Sequence, residues 1–370
     1  MNDRTLSFLE FVAPGVRSLR PYEPGKPLSE LEREYGVRDA VKLASNENPL
    51  GPSPRALEAV RAVMRELALY PDGNCFELKA ALAELHGVAP EQITVGNGSN
   101  DVLEFVARVF LQPGREAVFS EHAFAVYPIV TQAVGAQAVV VPAVNYGHDL
   151  TAMLARVTGR TGVVFVANPN NPTGTWLKAD ELRAFVAAVP GHVVVVIDEA
   201  YFEYVDEPEY PDTTQWVKDY PNLVVTRTFS KVYGLGGLRV GYGVSHPAMA
   251  DLFNRVRQPF NVNAAAQAAA VAALSDHDHV ARSVAVNRTG MEQVTAAFAR
   301  MGLPFIPSVG NFVCVDVGRP AGPVYEALLR QGVIVRPVGG YGLPHHLRVT
   351  IGTQVENERF ITALERAMKD

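Results

Sequence analysis

Polar residues that could do chemistry follow four short runs of β-branched residues along the chain. Such runs indicate strands, and in an open parallel sheet ligands bind beyond the carboxyl ends of the strands. We therefore expect these residues to meet at one edge of a sheet. They are Gly98, Ser99 and Asn100 in the loop 96–101, Asn171 in the loop 168–174, Asp198 and Tyr201 after a run of valines, and Ser230 and Lys231, with Arg239 eight residues further on.

The loop 96–101 has the composition of an anion-binding turn. Glycines let the backbone approach a ligand closely, and a Ser or Asn at a helix start leaves N–H groups directed at an anion. A plain N-capped turn would have the same residues, so the loop by itself leaves both interpretations open. It is not a dinucleotide-binding motif, because Asp101 stands where the third glycine of G-x-G-x-x-G would be.

Asp198 and Lys231 are the residues best suited to acid–base or nucleophilic chemistry. A carboxylate at the end of a buried strand is costly unless a cation or a protonated nitrogen pairs with it. A lysine close to that carboxylate can have a lowered pKa and act as an amine nucleophile, while Arg239 can bind a phosphate through its guanidinium fork. Taken alone, Lys231 would more often be an ordinary surface lysine.

Together these residues match one ligand that has four kinds of group. Gly98, Ser99, Asn100, Ser230 and Arg239 suit a phosphate, Lys231 an aldehyde, Asp198 a basic ring nitrogen, and Asn171 and Tyr201 a ring hydroxyl. Pyridoxal 5′-phosphate (PLP) carries all four groups, and a lysine Schiff base with an acidic partner for the ring nitrogen is its usual protein setting. The sequence therefore predicts a PLP site whose catalytic residues are Lys231, Asp198 and Tyr201.

The elements that must position these residues alternate between short strands and helices, which indicates the α/β class. We expect a large PLP-binding domain at residues 46–275, with a mostly parallel seven-stranded sheet covered by helices, and a smaller α/β domain formed by an N-terminal arm (1–45) and residues 276–370. The arm should be extended, because prolines are spaced along it. Strands of the large sheet are predicted at 93–95, 117–120, 139–141, 163–167, 193–197, 223–227 and 239–244, with a helix at 178–189. The tail should hold a helix at 279–301 and strands near 312–315, 333–336 and 347–351.

Composition and charge exclude several classes of protein. The chain has 370 residues and a formal charge of −6, so it has no general attraction for nucleic acid or anionic membranes. Its two cysteines cannot form a disulfide framework, and its N-terminus does not have the pattern of a secretory signal. We therefore expect a cytoplasmic protein with no membrane partner. The acidic and histidine residues at 276–279 suit a solvated helix start better than a metal site, and we predict no metal.

Further segments of the sequence carry a family resemblance. They are PYEPGKP (21–27), LASNENP (43–49), YPDG (70–73), GLR (237–239) and LRVTIGT (347–353), which stand in one order with the four site motifs. On these residues the chain resembles the class I and II PLP-dependent aminotransferases of fold type I, and within them the histidinol-phosphate aminotransferases. The resemblance extends over nearly the whole chain.

The resemblance implies roles that spacing alone does not assign. Phe124 corresponds to an aromatic ring stacked on the pyridine, and Tyr70 to a residue that reaches the cofactor phosphate of the neighbouring subunit, which implies a homodimer with shared active sites. Arg348 corresponds to the arginine that binds the anionic end of the substrate. Tyr22 and Arg336 match further contacts of a substrate phosphate, and Asn171 belongs to both the cofactor and the substrate set.

Three reactions are compatible with this resemblance. The first, which we predict, is transamination of L-histidinol phosphate with 2-oxoglutarate, giving imidazole acetol phosphate and glutamate in histidine biosynthesis. The second is the same chemistry on aromatic amino acids, since Arg348 could hold a carboxylate as readily as a phosphate. The third is decarboxylation of a phosphorylated amino acid on the same scaffold.

Overall fold

Strands and helices alternate along most of the computed structural model, which describes residues 11–22 and 25–369. The strands are β1 (Val41–Lys42), β2 (Ile93–Gly96), β3 (Glu116–Ser120), β4 (Gln137–Val141), β5 (Thr161–Ala167), β6 (Val194–Asp198), β7 (Leu223–Thr228), β8 (Gly241–Ser245), β9 (Phe305–Ile306), β10 (Phe312–Asp316), β11 (Val333–Ile334), β12 (Arg336–Pro337) and β13 (His346–Thr350). The α-helices are α1 (Pro14–Arg17), α2 (Leu28–Tyr35), α3 (Pro54–Val63), α4 (Phe76–His86), α5 (Ser99–Phe110), α6 (Val126–Ala133), α7 (Leu150–Ala155), α8 (Ala179–Ala188), α9 (Pro247–Val256), α10 (Ala264–Leu274), α11 (His277–Met301), α12 (Ala321–Arg330) and α13 (Gln354–Ala367). The predicted α/β class is confirmed.

Seven strands form the large sheet, in the order β2–β8–β7–β6–β5–β3–β4. All of them run parallel except β8, which lies antiparallel between β2 and β7. Each strand overlaps a segment predicted from the sequence. The last one begins at Gly241, two residues later than predicted. The predicted mostly parallel seven-stranded sheet is thus confirmed.

The large sheet is covered on both faces, because its central strands are buried at every position. In β5, Val164 and Val166 belong to the core on one face, whereas Phe165 belongs to the core on the other. Helices α3, α4, α7, α8 and α10 contribute buried residues to the first core, and α5, α6 and α9 contribute to the second. Helix α8 confirms the helix predicted at 178–189.

A smaller antiparallel sheet, in the order β12–β13–β10–β9, packs against α11, α12 and α13. Helix α11 serves both parts of the chain, since Val284 packs on the core of the large sheet while Val294 and Phe298 lie in the smaller core. Strand β1 pairs in parallel with β11. The segment predicted as one strand near 333–336 is divided between β11 and β12. The domain boundaries at residues 45/46 and 275/276 stay a prediction.

The predicted extended arm is wrong for residues 14–17, which form the short helix α1, and for residues 28–35, which form α2. Leu31 of this helix is fully buried in a small core with Ala44, Leu329 and Ile334. The prolines misled the prediction because Pro27 is the N-cap residue directly before the helix, where a proline does not interrupt the helical hydrogen bonds. Residues 1–10, 23 and 24, which also belong to the predicted arm, lie outside the described residues. The described helices include none with both the length and the hydropathy needed to cross a bilayer.

Candidate active site

The chemistry-bearing residues meet at the carboxyl edge of the large sheet, as the strand order requires. Strands β2, β5, β6 and β7 end at this edge, whereas the antiparallel strand β8 starts there. Gly241, the first residue of β8, pairs with Gly96 at the end of β2 and with Thr228 at the end of β7. Arg239 therefore reaches the edge because it precedes a strand, while the other residues follow one. The sequence does not reveal this reversal.

The turn before α5 forms a cup suited to an anion. Gly98 has φ +85°, and a Cβ atom there would overlap the guanidinium of Arg239. The N-terminal N–H groups of α5 begin at Ser99, directly beside this guanidinium. Arg239 donates to Ser230 Oγ at 3.2 Å and to the Gly236 carbonyl at 3.1 Å, which holds it in place. A helix N-terminus, an arginine and two serines together fit a phosphate.

Asp198 ends β6 and is 5% exposed. Tyr127 donates to its Oδ2 at 2.9 Å and Thr226 to its Oδ1 at 3.0 Å. Burial raises the pKa of Asp198, and these two hydrogen bonds oppose that rise. Sequence reasoning missed Tyr127, which stacks on Phe165 with ring centroids 4.7 Å apart. Its position one helical turn after Phe124 was the available indication.

A buried ion pair lies directly behind Asp198. Glu199 is fully buried and accepts hydrogen bonds at its Oε2 from Arg227 Nε at 2.9 Å and Nη2 at 2.7 Å. Arg227 also bonds Asp212 at 2.6 Å, and its guanidinium lies 3.4 Å from the centre of the Phe202 ring. The pair joins β6 to β7, so it fixes the two strands that carry Asp198 and lead to Lys231.

Lys231 follows β7 and lines the same cleft as the other predicted residues, apart from Gly98 and Tyr70. The amine donates to the Ser45 carbonyl at 3.1 Å. Burial lowers the pKa of Lys231 to about 7, and the positive charge of Arg348 adds to this lowering. A substantial share of the amine is therefore neutral near neutral pH, as a nucleophile or a base requires.

The residues predicted for a ring hydroxyl and a ring face line the same cleft. Asn171 accepts a 2.5 Å hydrogen bond from Arg348 at its Oδ1, which leaves its Nδ2 as the donor for a ligand. Tyr201 is buried, and burial raises its pKa to about 12, so its hydroxyl keeps a proton to donate. Asn46, which sequence reasoning did not select as a site residue, donates to the Tyr201 oxygen at 2.9 Å. Phe124 is a further lining residue.

Two arginines on neighbouring strands line the cleft. Arg336 in β12 and Arg348 in β13 are directly paired across the antiparallel ladder, so their side chains lie on one face of the sheet. Two positively charged side chains on one face favour an anionic ligand there. Tyr22 lies beside them, with its ring centre 5.7 Å from the Arg336 guanidinium. All three residues line the cleft.

Tyr70 does not line the cleft with the other predicted residues. It is 83% exposed and stacks on Phe260 with ring centroids 4.7 Å apart. The predicted contact of Tyr70 is with the site of a second subunit, and it stays a prediction.

The donor set of the cleft fits PLP. It offers an anion cup, an amine of lowered pKa, a buried carboxylate for a ring nitrogen, two donors for a ring oxygen and an aromatic ring. The carboxylate is the most specific element, because Asp198 is buried and its attached hydrogen bonds favour the charged form. A cationic ring nitrogen is the partner that such a carboxylate needs.

Comparison with known proteins agrees with this geometry. The family described as aminotransferase class I and II matches residues 38–364. Histidinol-phosphate aminotransferase 1 of Nitrosococcus oceani is 60% identical over 363 residues, and histidinol-phosphate aminotransferase 2 of Pseudomonas aeruginosa is 61% identical over 363 residues, in each case 98% of both chains. The crystal structure of histidinol-phosphate aminotransferase from Sinorhizobium meliloti in complex with pyridoxal-5′-phosphate superposes with a TM-score of 0.90 at 31% identity, over 97% of both chains. The chain therefore belongs to the aminotransferase class I and II family.

Proposed function

We propose that this protein transfers the amino group of L-histidinol phosphate to 2-oxoglutarate with PLP as its cofactor. The observation that carries the proposal is the pairing of Arg336 and Arg348 in the cleft that holds the amine of Lys231. Two arginines that line one cleft suit the double charge of a phosphate. The names of the relatives at about 60% identity support the same substrate.

The cofactor would be held by the residues at the carboxyl edge of the sheet. Arg239, Ser230 and the N-terminus of α5 would bind its phosphate, and Asp198 its ring nitrogen. Asn171 and Tyr201 would donate to its ring oxygen, while Phe124 would lie on its ring. When bound, PLP supplies an electron sink for the charge that develops at the substrate carbon.

Lys231 would carry the cofactor and then move a proton during the reaction. Its lowered pKa, about 7, lets the amine accept a proton from the substrate carbon and return it at the neighbouring cofactor carbon. Asp198 would keep the ring nitrogen charged, because burial makes a lone carboxylate there unfavourable. The acceptor repeats the cycle in reverse, so the kinetics should be ping-pong.

The arginine pair also bears on the two alternative reactions. An aromatic amino acid presents a single carboxylate, which Arg348 alone could hold as readily as a phosphate. A phospho-amino-acid decarboxylase would use both arginines, but it must release carbon dioxide. The names of the relatives at about 60% identity do not favour the first alternative, and the second is separable by its product.

A donor comparison tests the proposal. Purified protein loaded with PLP would be given histidinol phosphate, phenylalanine or threonine phosphate, with 2-oxoglutarate as acceptor, and both glutamate formation and carbon dioxide release would be followed. We expect glutamate with histidinol phosphate at the highest kcat/KM and no carbon dioxide. Preference for phenylalanine would support the aromatic aminotransferase, and carbon dioxide from threonine phosphate would support the lyase.

We also propose that the protein is a cytoplasmic homodimer whose sites are shared. Exposed apolar side chains at Leu67, Leu69, Tyr70 and Phe76 give this part of the chain a surface suited to a second copy. If Tyr70 completes the neighbour's site, then mixing Tyr70→Ala and Lys231→Ala subunits should restore activity, since one site of each hybrid has both residues intact. Activity no higher than the average of the two parents would contradict shared sites.

A further inference from the structure

Three consecutive residues contact three functional side chains of the cleft. The Ala44 carbonyl accepts a 2.7 Å hydrogen bond from Arg348, and the Ser45 carbonyl accepts one of 3.1 Å from Lys231. The side chain of Asn46 donates to the Tyr201 hydroxyl at 2.9 Å. Residues 44–46 therefore contact the proposed substrate arginine, the amine and the ring-oxygen donor at once. Of the three, only Asn46 makes this contact through its side chain.

Asn46 is fixed in place by strand β13. It is 1% exposed, and its backbone N–H donates to Thr350 Oγ1 at 2.9 Å. The Thr350 hydroxyl donates in turn to Asn46 Oδ1 at 3.1 Å. The Asn46 carbonyl accepts a third hydrogen bond from Asn311 at 3.0 Å. The φ of Asn46 is +55°, a left-handed conformation that Asn and Gly tolerate better than most residues.

These contacts decide where the hydroxyl proton of Tyr201 can point. Because the Asn46 Oδ1 atom is engaged by Thr350, its Nδ2 faces Tyr201 and donates to the phenol oxygen. A phenol has one proton, and it cannot donate that proton to an amide N–H group. The proton is therefore directed away from Asn46 and toward the cleft that Tyr201 lines.

We propose that Asn46 is a positioning residue that directs the hydroxyl proton of Tyr201 toward the ring oxygen of the cofactor. Through its hydrogen bonds with Thr350, Asn46 also connects the orientation of the Tyr201 hydroxyl to β13, the strand that carries Arg348. The inference deepens the proposed function and rests on PLP being bound at Lys231. Asn46 itself need not touch substrate, since its effect passes through Tyr201.

The test is a pH titration of the visible absorption of the bound cofactor. A hydrogen bond from Tyr201 to the ring oxygen favours the deprotonated lysine–cofactor linkage, so loss of this bond should raise the midpoint of the titration. Asn46→Gly keeps the left-handed backbone and removes the donor. Asn145→Gly is the matched control, because Asn145 has φ +49° and lies exposed in a turn away from the cleft. Tyr201→Phe and the double variant Asn46→Gly/Tyr201→Phe complete the set.

We expect Asn46→Gly to raise the midpoint by roughly half to one pH unit, the equivalent of one hydrogen bond, and Asn145→Gly to leave it unchanged. In the Tyr201→Phe background, Asn46→Gly should cause no further shift. An unchanged midpoint in Asn46→Gly, or an equal shift with and without Tyr201, would overturn the inference. A general loosening of the fold would produce the second result.

A second pair of variants tests the connection to β13. Thr350→Val removes the hydroxyl that holds the Asn46 amide and should also raise the midpoint. Thr350→Ser keeps a hydroxyl and should leave the midpoint at the value of the unaltered protein. Equal midpoints for the valine and serine variants would contradict the connection. If the unaltered protein binds no PLP at Lys231, as shown by borohydride reduction and peptide mapping, then the proposed function fails before this inference is tested.

Discussion

Lys231 should react as a neutral amine at a pH three to four units lower than the pH at which an ordinary lysine does. Its pKa is lowered from 10.5 to about 7, with burial as the main cause. At pH 7 about half of the Lys231 amine is then neutral, against roughly one part in 3,000 for an ordinary lysine, a difference of about 1,500-fold in the reactive form. This difference is large enough to be measured directly on the protein without cofactor.

The assay is pulse labelling with a limiting amine-reactive reagent from pH 5 to 11, with each lysine followed by peptide mass spectrometry. Labelling of Lys231 should rise with a midpoint near 7. Lys178 is the internal control, because Glu209 at 2.7 Å raises its pKa and its labelling should begin only at much higher pH.

Two charge variants test the direction in which neighbouring charges shift the pKa of Lys231. Arg348→Gln removes a positive charge that disfavours the protonated amine, so the midpoint of Lys231 should move up. Glu47→Gln removes a negative charge that favours the protonated amine, so the midpoint should move down. A midpoint near 10.5 in the unaltered protein, or shifts of the same sign in both variants, would refute this account of the site.

Further predictions concern the carboxylate, the arginine pair and the buried ion pair. Asp198→Asn should slow the single-turnover rate by a factor of about 100 or more while weakening PLP binding less, since it removes the charged partner of the ring nitrogen; a near-native rate would exclude this role. Arg336→Ala should lower kcat/KM for histidinol phosphate by about 10- to 100-fold and leave phenylalanine nearly unchanged, whereas Arg348→Ala should weaken every donor. Arg227→Met should lower the free energy of unfolding by about 3–5 kcal/mol in chemical denaturation, because it leaves Glu199 buried without its partner. The double variant Arg227→Met/Glu199→Gln should recover part of that loss, and an equal loss in both would mean that packing, not charge, is responsible.

The strands and the main site residues could be predicted because their causes are local. Strand β6 is a run of apolar β-branched residues that ends at a carboxylate, and this pattern identifies both a buried strand and a residue in need of a partner. The same reasoning located Lys231 and the loop before α5. Family resemblance then added Arg336 and Arg348, whose role depends on a pairing between strands that no local pattern shows.

The remaining features depend on contacts between distant parts of the chain. Asn46 and Tyr201 are 155 residues apart in sequence, and Asn46 is held beside Tyr201 by Thr350 and Asn311, which lie still farther along the chain. In the sequence, Tyr127 is indistinguishable from an ordinary aromatic residue of the core. Only the folded structure shows that its hydroxyl contacts Asp198. The helix after Pro27 was missed for a further reason besides the prolines, since five of its eight residues are polar or charged and only Leu31 is buried.

The pairing of β1 with β11 also constrains the order in which parts of the protein can fold during synthesis. Val41 and Val333 are neighbours in the folded sheet but are separated by about 290 residues of synthesis, or roughly 15–60 s at the speed of a ribosome. The strands of the large sheet are all made by Ser245, so the phosphate cup and the amine can assemble first. Residues 44–46, although among the earliest synthesised, can take their place in the cleft only after β11 and β13 exist. A nascent chain thus acquires Lys231 and Arg239, proposed to hold the cofactor, well before Arg336 and Arg348, the arginines proposed to bind the substrate.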